Sequence, residues 1–437
     1  MPPLLYAVAR NPALPPDLLR LLLDTADADE ELAHALAGRT DLDPAQVRRL
    51  AGRHEEAAVR LAAGGLLPAA EVDPLARPGV AIALLEDGRG APTWALALSG
   101  VADRYLRIRL ASCPGLPDEA AETLAADQDT DVVAELGLHT RRPDLLARLA
   151  RHPGNDVRRW VAANEAAPPE LLTALLADED VHVRGHAAGN PATPATAAAR
   201  ALTDDPLVRR KLAEHPGLPA GLYHRLAEDD TPWIRDNLAR NPGIDPPLLR
   251  RLATDPDRDV RHRLAHHPYV PLDVLGRLAV TVRLGPALLP RIADASPDEL
   301  AALAGDSEPR VRMLVAQHRD LPAPVRDRLA EDPDASVANA VAPHPGLPPA
   351  RLVGLLDRFG SKVATALAAN PDAPAALLDR IATTTPVPAK ALRAIAAHRH
   401  ATPDALARCL TSPDPRTAEA AAANPALPPN AQRALIG

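Results

Sequence analysis

Fifteen histidines and 57 Asp and Glu residues are enough material for proton transfer or metal ligation. Their spacing decides whether they can act together. His215, His267, His318, His344 and His398 each stand at one recurring turn, usually ahead of a proline. Asn takes the same place at Asn11, Asn164, Asn190, Asn241, Asn370 and Asn424. This interchange points to a shared structural role, a side chain bonded back to the backbone of its own turn. The positions lie one or more repeats apart. Helical layers are about 10 Å deep, and zinc needs its ligands about 2 Å away, so this series cannot close on a metal. His266-His267 and His398-Arg399-His400 are local clusters without carboxylate or thiolate spacing around them. Nucleophile elbows, His-Glu-x-x-His and phosphate-cradling glycine loops do not occur. Cys113 precedes Pro114 at the Asn/His place and reads as a turn residue. With Cys409 it makes two cysteines in the chain, too few for an all-thiolate site or a disulfide framework. No catalytic residue, metal or cofactor is expected, and the chain reads as a non-enzyme.

A second series is sharper. Arg158, Arg184, Arg209, Arg235 and Arg261 are 25 or 26 residues apart, with Arg283 and Arg312 beyond them. Each follows an apolar residue and an acidic turn, such as Asp178 and Asp180, Asp204 and Asp205, or Asp255 and Asp257. Two readings are open. The arginines form an internal ladder with those turns, since a guanidinium has five donors and grips carboxylates in pairs. Or they form an exposed stripe that holds phosphates or an acidic peptide. Trp160 and Trp233 sit beside the same arginines, and Trp and Arg dominate interface hot spots. Arg158, Arg159, Trp160, Arg184, Arg209, Trp233, Arg235 and Arg261 are therefore the candidate binding face.

Both series need a scaffold with a period near 26. The segment Leu226–Leu249 and the one beginning at Leu252 carry the same marks: an acidic turn then Val/Ile-Arg, and later Asn/His-Pro, an apolar residue and more proline. Marks of this kind run from Asn11 to Asn424, about seventeen in all. Each unit predicts two helices. One starts after the acidic turn and stops before His-Pro or Asn-Pro, because the residue before proline leaves the helical region. The other opens at proline, which suits the first turn, as at Asp245-Pro246-Pro247 with Asp245 as N-cap. Leu248, Leu249 and Leu252 make its buried stripe. Helices this short are marginal alone and must stack on neighbours. Strands are a poor alternative: apolar residues recur at three and four, and the prolines fall where a strand needs its N–H.

Composition agrees. Phe, Tyr and Trp are 2 % of 437 residues, while proline alone numbers 49. A net charge of -8 argues against a general polyanion binder. Between Arg141 and Arg283 there are 21 basic and 19 acidic residues, so the centre is less acidic than the ends. No apolar run reaches about 18 residues, and the start has no secretory pattern; a cytoplasmic setting is expected. The abundance of Ala, Arg and Pro over Lys suggests a GC-rich bacterial genome.

The recurring unit, Leu-Ala-x-Asp-Pro, then Val-Arg-x-x-Leu/Val-Ala-x-Asn/His-Pro-x-Leu-Pro-x-x-Leu-Leu, resembles the leucine-rich repeat variant family. The resemblance is close over 145–267 and 303–371. It implies an all-α solenoid, a right-handed superhelix of about seventeen two-helix repeats with 3₁₀ segments and no strand. HEAT-like repeats, which are longer, are the second analogy. The family's cysteine-rich iron–sulfur segment is not implied, because Cys113 and Cys409 form no Cys-x-x-Cys cluster. One solenoid is expected over 1–437, with divergent repeats at 1–144, regular ones at 145–274, an irregular one at 275–302 and C-terminal repeats at 303–437. The expected function is a non-catalytic scaffold for another protein or peptide. The alternative is nucleic-acid binding through the arginine line, which requires that line to be exposed. Both chain ends lack an obvious polar capping helix, so the state of assembly stays open.

Overall fold

The computed structural model describes residues 3–436. All regular structure among them is helical: 33 α-helices and two 3₁₀ helices, at Ala69–Glu71 and Ala199–Thr203. Most helices span seven to eleven residues and come in pairs, as the repeat requires.

The local chemistry follows the sequence marks. Helix Arg258–Leu264 begins at Asp257, whose carboxylate accepts the N–H groups of Asp259 and Val260 at 2.8 and 3.4 Å. These are donors a helix start leaves unpaired. Val260 and Leu264 face inward, and the helix ends ahead of His267-Pro268. Helix Pro246–Leu252 is capped by Asp245, which accepts the Leu248 N–H at 2.9 Å. Its Leu248, Leu249 and Leu252 are buried. The core is a succession of thin Leu, Val, Ile and Ala layers, and Tyr223 is the largest fully buried side chain.

The chain divides into two compact units. One comprises 1–67, 285–288 and 292–437; the other comprises 68–284 and 289–291. One division falls inside the irregular stretch. There the acidic turn is missing, helix Leu272–Thr281 runs on for ten residues, and residues 282–289 form no helix before the short Pro290–Ala293. Arg283 lies in that segment, exposed and outside the arginine register.

In the second unit the helices that carry the arginine series, Asn155–Ala163, Val181–Gly189, Pro206–Leu212, Pro232–Leu238 and Arg258–Leu264, form one row. Each packs directly on the next. Close approach needs small residues: a Cβ on Gly189 would lie 2.7 Å from the Lys211 carbonyl oxygen. The proline-led helices of the same repeats pack far less on one another.

Candidate interaction face

Two internal ladders position the row. In the first, an arginine of one repeat grips an aspartate twenty residues on, in the next repeat. Arg158 donates from Nε and Nη2 to Asp178 at 2.8 and 3.0 Å. Arg184 holds Asp204 at 2.9 and 3.1 Å, Arg209 holds Asp229 at 2.7 and 3.4 Å, and Arg235 holds Asp255 at 2.8 and 3.0 Å. The third guanidinium nitrogen closes the turn before its own helix. Arg158 Nη1 reaches the carbonyls of His152 and Pro153, and Arg235 Nη1 that of Asp229 at 2.6 Å. The aspartate's second task is local: Asp178 accepts the Asp180 N–H at 2.9 Å, and Asp180 then caps the following helix. Arg107 with Asp127 and Arg312 with Asp332 are further rungs.

The electrostatics follow. Burial pushes the Asp178 carboxyl up, but the Arg158 guanidinium and the Asp180 N–H outweigh it and hold it below the usual carboxylate range. The Arg184 hydrogen bond holds Asp204 down in the same way. These are charge-assisted, two-point contacts, the strong kind.

The second ladder explains the Asn/His interchange. Asn190 Nδ2 donates to the carbonyls of Ala162 and Asn164 in the preceding repeat, both at 2.9 Å, while its Oδ1 accepts the Ala192 N–H. Asn241 does the same with Ala213, His215 and Gly243. His267 copies the pattern with a ring: Nδ1 accepts the Tyr269 N–H at 3.1 Å and Nε2 lies 2.9 Å from the Asn241 carbonyl. A backbone N–H can only be accepted by an unprotonated Nδ1, so the proton sits on Nε2 and the ring is neutral. Burial pushes His267, His344 and His398 below the ordinary histidine value. With both nitrogens engaged, His267 and His398 are turn clamps.

The candidate residues therefore divide. Arg158, Arg184, Arg209 and Arg235 are rungs, with Arg158 and Arg235 each 8 % exposed. This is the internal-ladder reading. Each of these four guanidinium groups faces a carboxylate of the next repeat. Arg261 ends the series. It donates to the carbonyls of Asp255 and Pro256, but Thr281 stands where the next aspartate is needed.

Arg159, Trp160 and Trp233 lie outside the ladder. Arg159 pairs with Asp156 at 3.0 Å and its guanidinium lies 4.9 Å from the Trp160 ring centre. Trp160 meets His186 of the next helix, ring centres 6.0 Å apart. Arg210 covers Trp233 at 5.5 Å, and Trp233 is 39 % exposed. Trp233 borders a cleft shared with Pro232, Asp236, Asp259, His262 and Arg263. The Nε atoms of Arg159 and Arg210 are buried without a hydrogen-bond partner. Burial, then the charges of Lys211, Arg159, His182 and Arg210, push His186 down to about 4, so it is neutral at pH 7.

His186, Arg210 and Lys211 escape a reading centred on the Val-Arg mark. The signal for His186 and Lys211 is the position two residues after that mark, occupied by Trp160, His186, Lys211, Asn237 and Arg263 at the same period, while Arg210 stands one residue after it, in register with Arg159. Cys113 and Cys409 are free and buried; burial pushes their thiols up to about 12 and about 11. No group of three or more His, Cys, Asp or Glu able to hold a metal occurs among the described residues.

Comparison with known proteins gives a match to the leucine rich repeat variant family at residues 156–180. That segment spans one repeat and contains both ends of the Arg158–Asp178 rung. The structure aligns with a solved leucine-rich repeat variant with a novel repetitive structural motif: 23 % identity, 56 % of this chain, 87 % of that one, TM-score 0.30. It also aligns with a structure of Kap95p binding that switches the loops of RanGDP to the GTP-bound conformation (13 % identity, 97 % of this chain, 60 % of that one, TM-score 0.29). A structure of importin beta gives 13 % identity, 94 % and 48 % coverage, and TM-score 0.18. No curated protein matches the chain.

Proposed function

We propose that this chain, an all-helical repeat array with a leucine rich repeat variant match at residues 156–180, is a non-catalytic scaffold that binds another protein. The contact face is the row of helices carrying Arg159, Trp160, His186, Arg210 and Trp233. One observation carries the reading. The ladder draws the periodic arginines inward and leaves rings covered by guanidinium groups on the open side. Trp and Arg held in place by packing are the residues that dominate protein interfaces. A face in which Arg159 is paired with Asp156, Lys211 with Glu214 and Arg263 with Asp236 has little net charge for a phosphate backbone. The partner is thus a folded protein or peptide rather than nucleic acid. No helix among the described residues is long and apolar enough to cross a membrane. A bacterial cytoplasmic setting belongs to the same proposal and rests on composition.

The test is affinity capture from the native extract with and without nuclease, using the wild-type chain and a Trp160→Ala/Trp233→Ala variant. A stoichiometric protein that survives nuclease and is lost with the double variant supports the reading. Recovery of nucleic acid alone, released by nuclease, overturns it.

A further inference from the structure

Within the first unit, the beginning of the chain is stacked on its end. Helix Pro3–Ala9 packs against Pro415–Ala422 and Pro429–Ile436. The contact has the register of an ordinary repeat junction. Asn11 Nδ2 donates to the carbonyls of Asn424 and Ala422 at 2.7 and 3.4 Å, and its Oδ1 accepts the Ala13 N–H at 2.9 Å. Asn424 makes the same three bonds one repeat earlier, to His398, Ala396 and Ala426. Asn11 therefore treats the last repeat as the one preceding it, across 413 residues. Arg433 and Asp17 add an ion pair at 2.6 Å. Leu5, Val8, Ala421 and Ala422 are all buried there.

A repeat array normally needs polar capping units, because an end repeat has no neighbour to cover its apolar face. Here each end covers the other. The two faces differ and are complementary, a head-to-tail contact. This junction has no peptide bond running across it, so it can open while both neighbouring repeats stay intact. An opened N-terminal face would leave Leu5 and Val8 bare. An opened C-terminal face would leave the carbonyls of Ala422 and Asn424 without the Asn11 amide. The surface that satisfies each opened face, apart from the chain's own other end, is the opposite end of another copy.

We propose that the Asn11–Asn424 junction is a docking surface for a second copy of this chain, closed within one molecule when dilute and exchanged head-to-tail between molecules when concentrated. Closure within a chain competes with exchange through its effective concentration, which is about millimolar for flexibly tethered pairs.

The test uses full-length chains. Asp17→Cys and Arg433→Cys are made singly and together, both positions being exposed. The native cysteines are buried. A flexible bis-maleimide is the probe. The doubly substituted chain should link internally at micromolar concentration. A mixture of the two single variants can link only between molecules, and it should give covalent dimers whose yield rises steeply toward about millimolar chain. Lys390→Cys, also exposed, in place of Arg433→Cys controls for random collision and should give about tenfold less dimer. Absence of the mixed dimer, or equal yield from the control, overturns exchange. Failure of the double variant to link internally overturns the junction itself.

Discussion

Arg235 and Asp255 stand twenty residues apart in successive repeats and meet through two parallel hydrogen bonds of 2.8 and 3.0 Å, both side chains buried. The pair joins one repeat to the next at the point where each turn gives way to a helix. Removing one member leaves a charge buried without its counterpart, which costs about 3–5 kcal/mol. Asp255→Ala should therefore strongly destabilise the repeats on either side. Replacing both, with Arg235→Met and Asp255→Leu, should cost much less, because no charge is stranded. Urea unfolding with site-resolved hydrogen exchange distinguishes these outcomes. An Asp255→Ala chain as resistant to urea as the wild type would remove the ladder from the account of stability.

The clamp ladder predicts a different pattern. His267 and Asn are equivalent because each offers one acceptor to the turn and one donor to the repeat before. His267→Asn should be close to neutral. His267→Leu fills the same space but leaves the Tyr269 N–H unpaired and the Asn241 carbonyl with only the long 3.4 Å bond from the Ile244 N–H. A buried unsatisfied group costs about 1–3 kcal/mol, so the leucine variant should unfold at clearly lower urea. Equal losses for both substitutions would mean that the ring packs and does not bond.

How much of this was legible in the sequence depends on distance along the chain. The repeat, its two helices and the turn role of Asn and His show in the 26-residue period, since each is decided within one unit. Asp245 at its helix start is legible for the same reason. The partner of each arginine is not: Arg158 is equidistant in character from several acidic residues, and only stacking selects Asp178 in the next turn. Arg107 lies in the divergent repeats and falls outside the series, although its rung to Asp127 is complete. His186 and Arg210 become part of one face only once adjacent helices are laid side by side. The meeting of Asn11 with Asn424 carries no local signal at all, because a period specifies neighbours and is silent about whether first and last repeats touch.

Acid should act in two stages. His267, His344 and His398 are held by burial below the ordinary histidine value of about 6.5. Between that value and their lower folded values, the unfolded chain binds more protons than the folded one. Stability therefore rises with pH across this window and falls as pH drops from about 6.5. In His267 and His398, protonation at Nδ1 also removes the acceptor used by the turn. The ladder aspartates Asp178, Asp204, Asp229 and Asp332 are likewise lowered. Their contribution is present above the ordinary carboxylate value of about 3.9 and lost as pH falls below it. Thermal melts from pH 7.5 to 3 should show both losses. Asn at positions 267, 344 and 398 should reduce the upper one to the share of His186 and His262, which are lowered too, and leave the lower one in place; an unchanged upper slope would assign it to those other groups.

The binding face makes the last prediction. Trp233 is the more exposed of the two rings, and Arg210 lies over it without a partner for its Nε. A partner that covers this ring also dries the guanidinium, which strengthens a cation–π contact from about 0.5–1 to about 2 kcal/mol. Trp233→Ala should then weaken partner binding about thirtyfold, equivalent to about 2 kcal/mol. Trp233→Phe keeps a smaller aromatic face for Arg210 and should fall between. Arg210→Lys keeps the charge but loses the flat stacking surface, so it should weaken binding less than Trp233→Ala and more than Trp233→Phe. None of the three replaces a ladder arginine, so each should keep a urea midpoint near the wild type. Titration calorimetry with the captured partner measures the series. Equal affinities across all four chains, at unchanged stability, would move the interface off this row of helices.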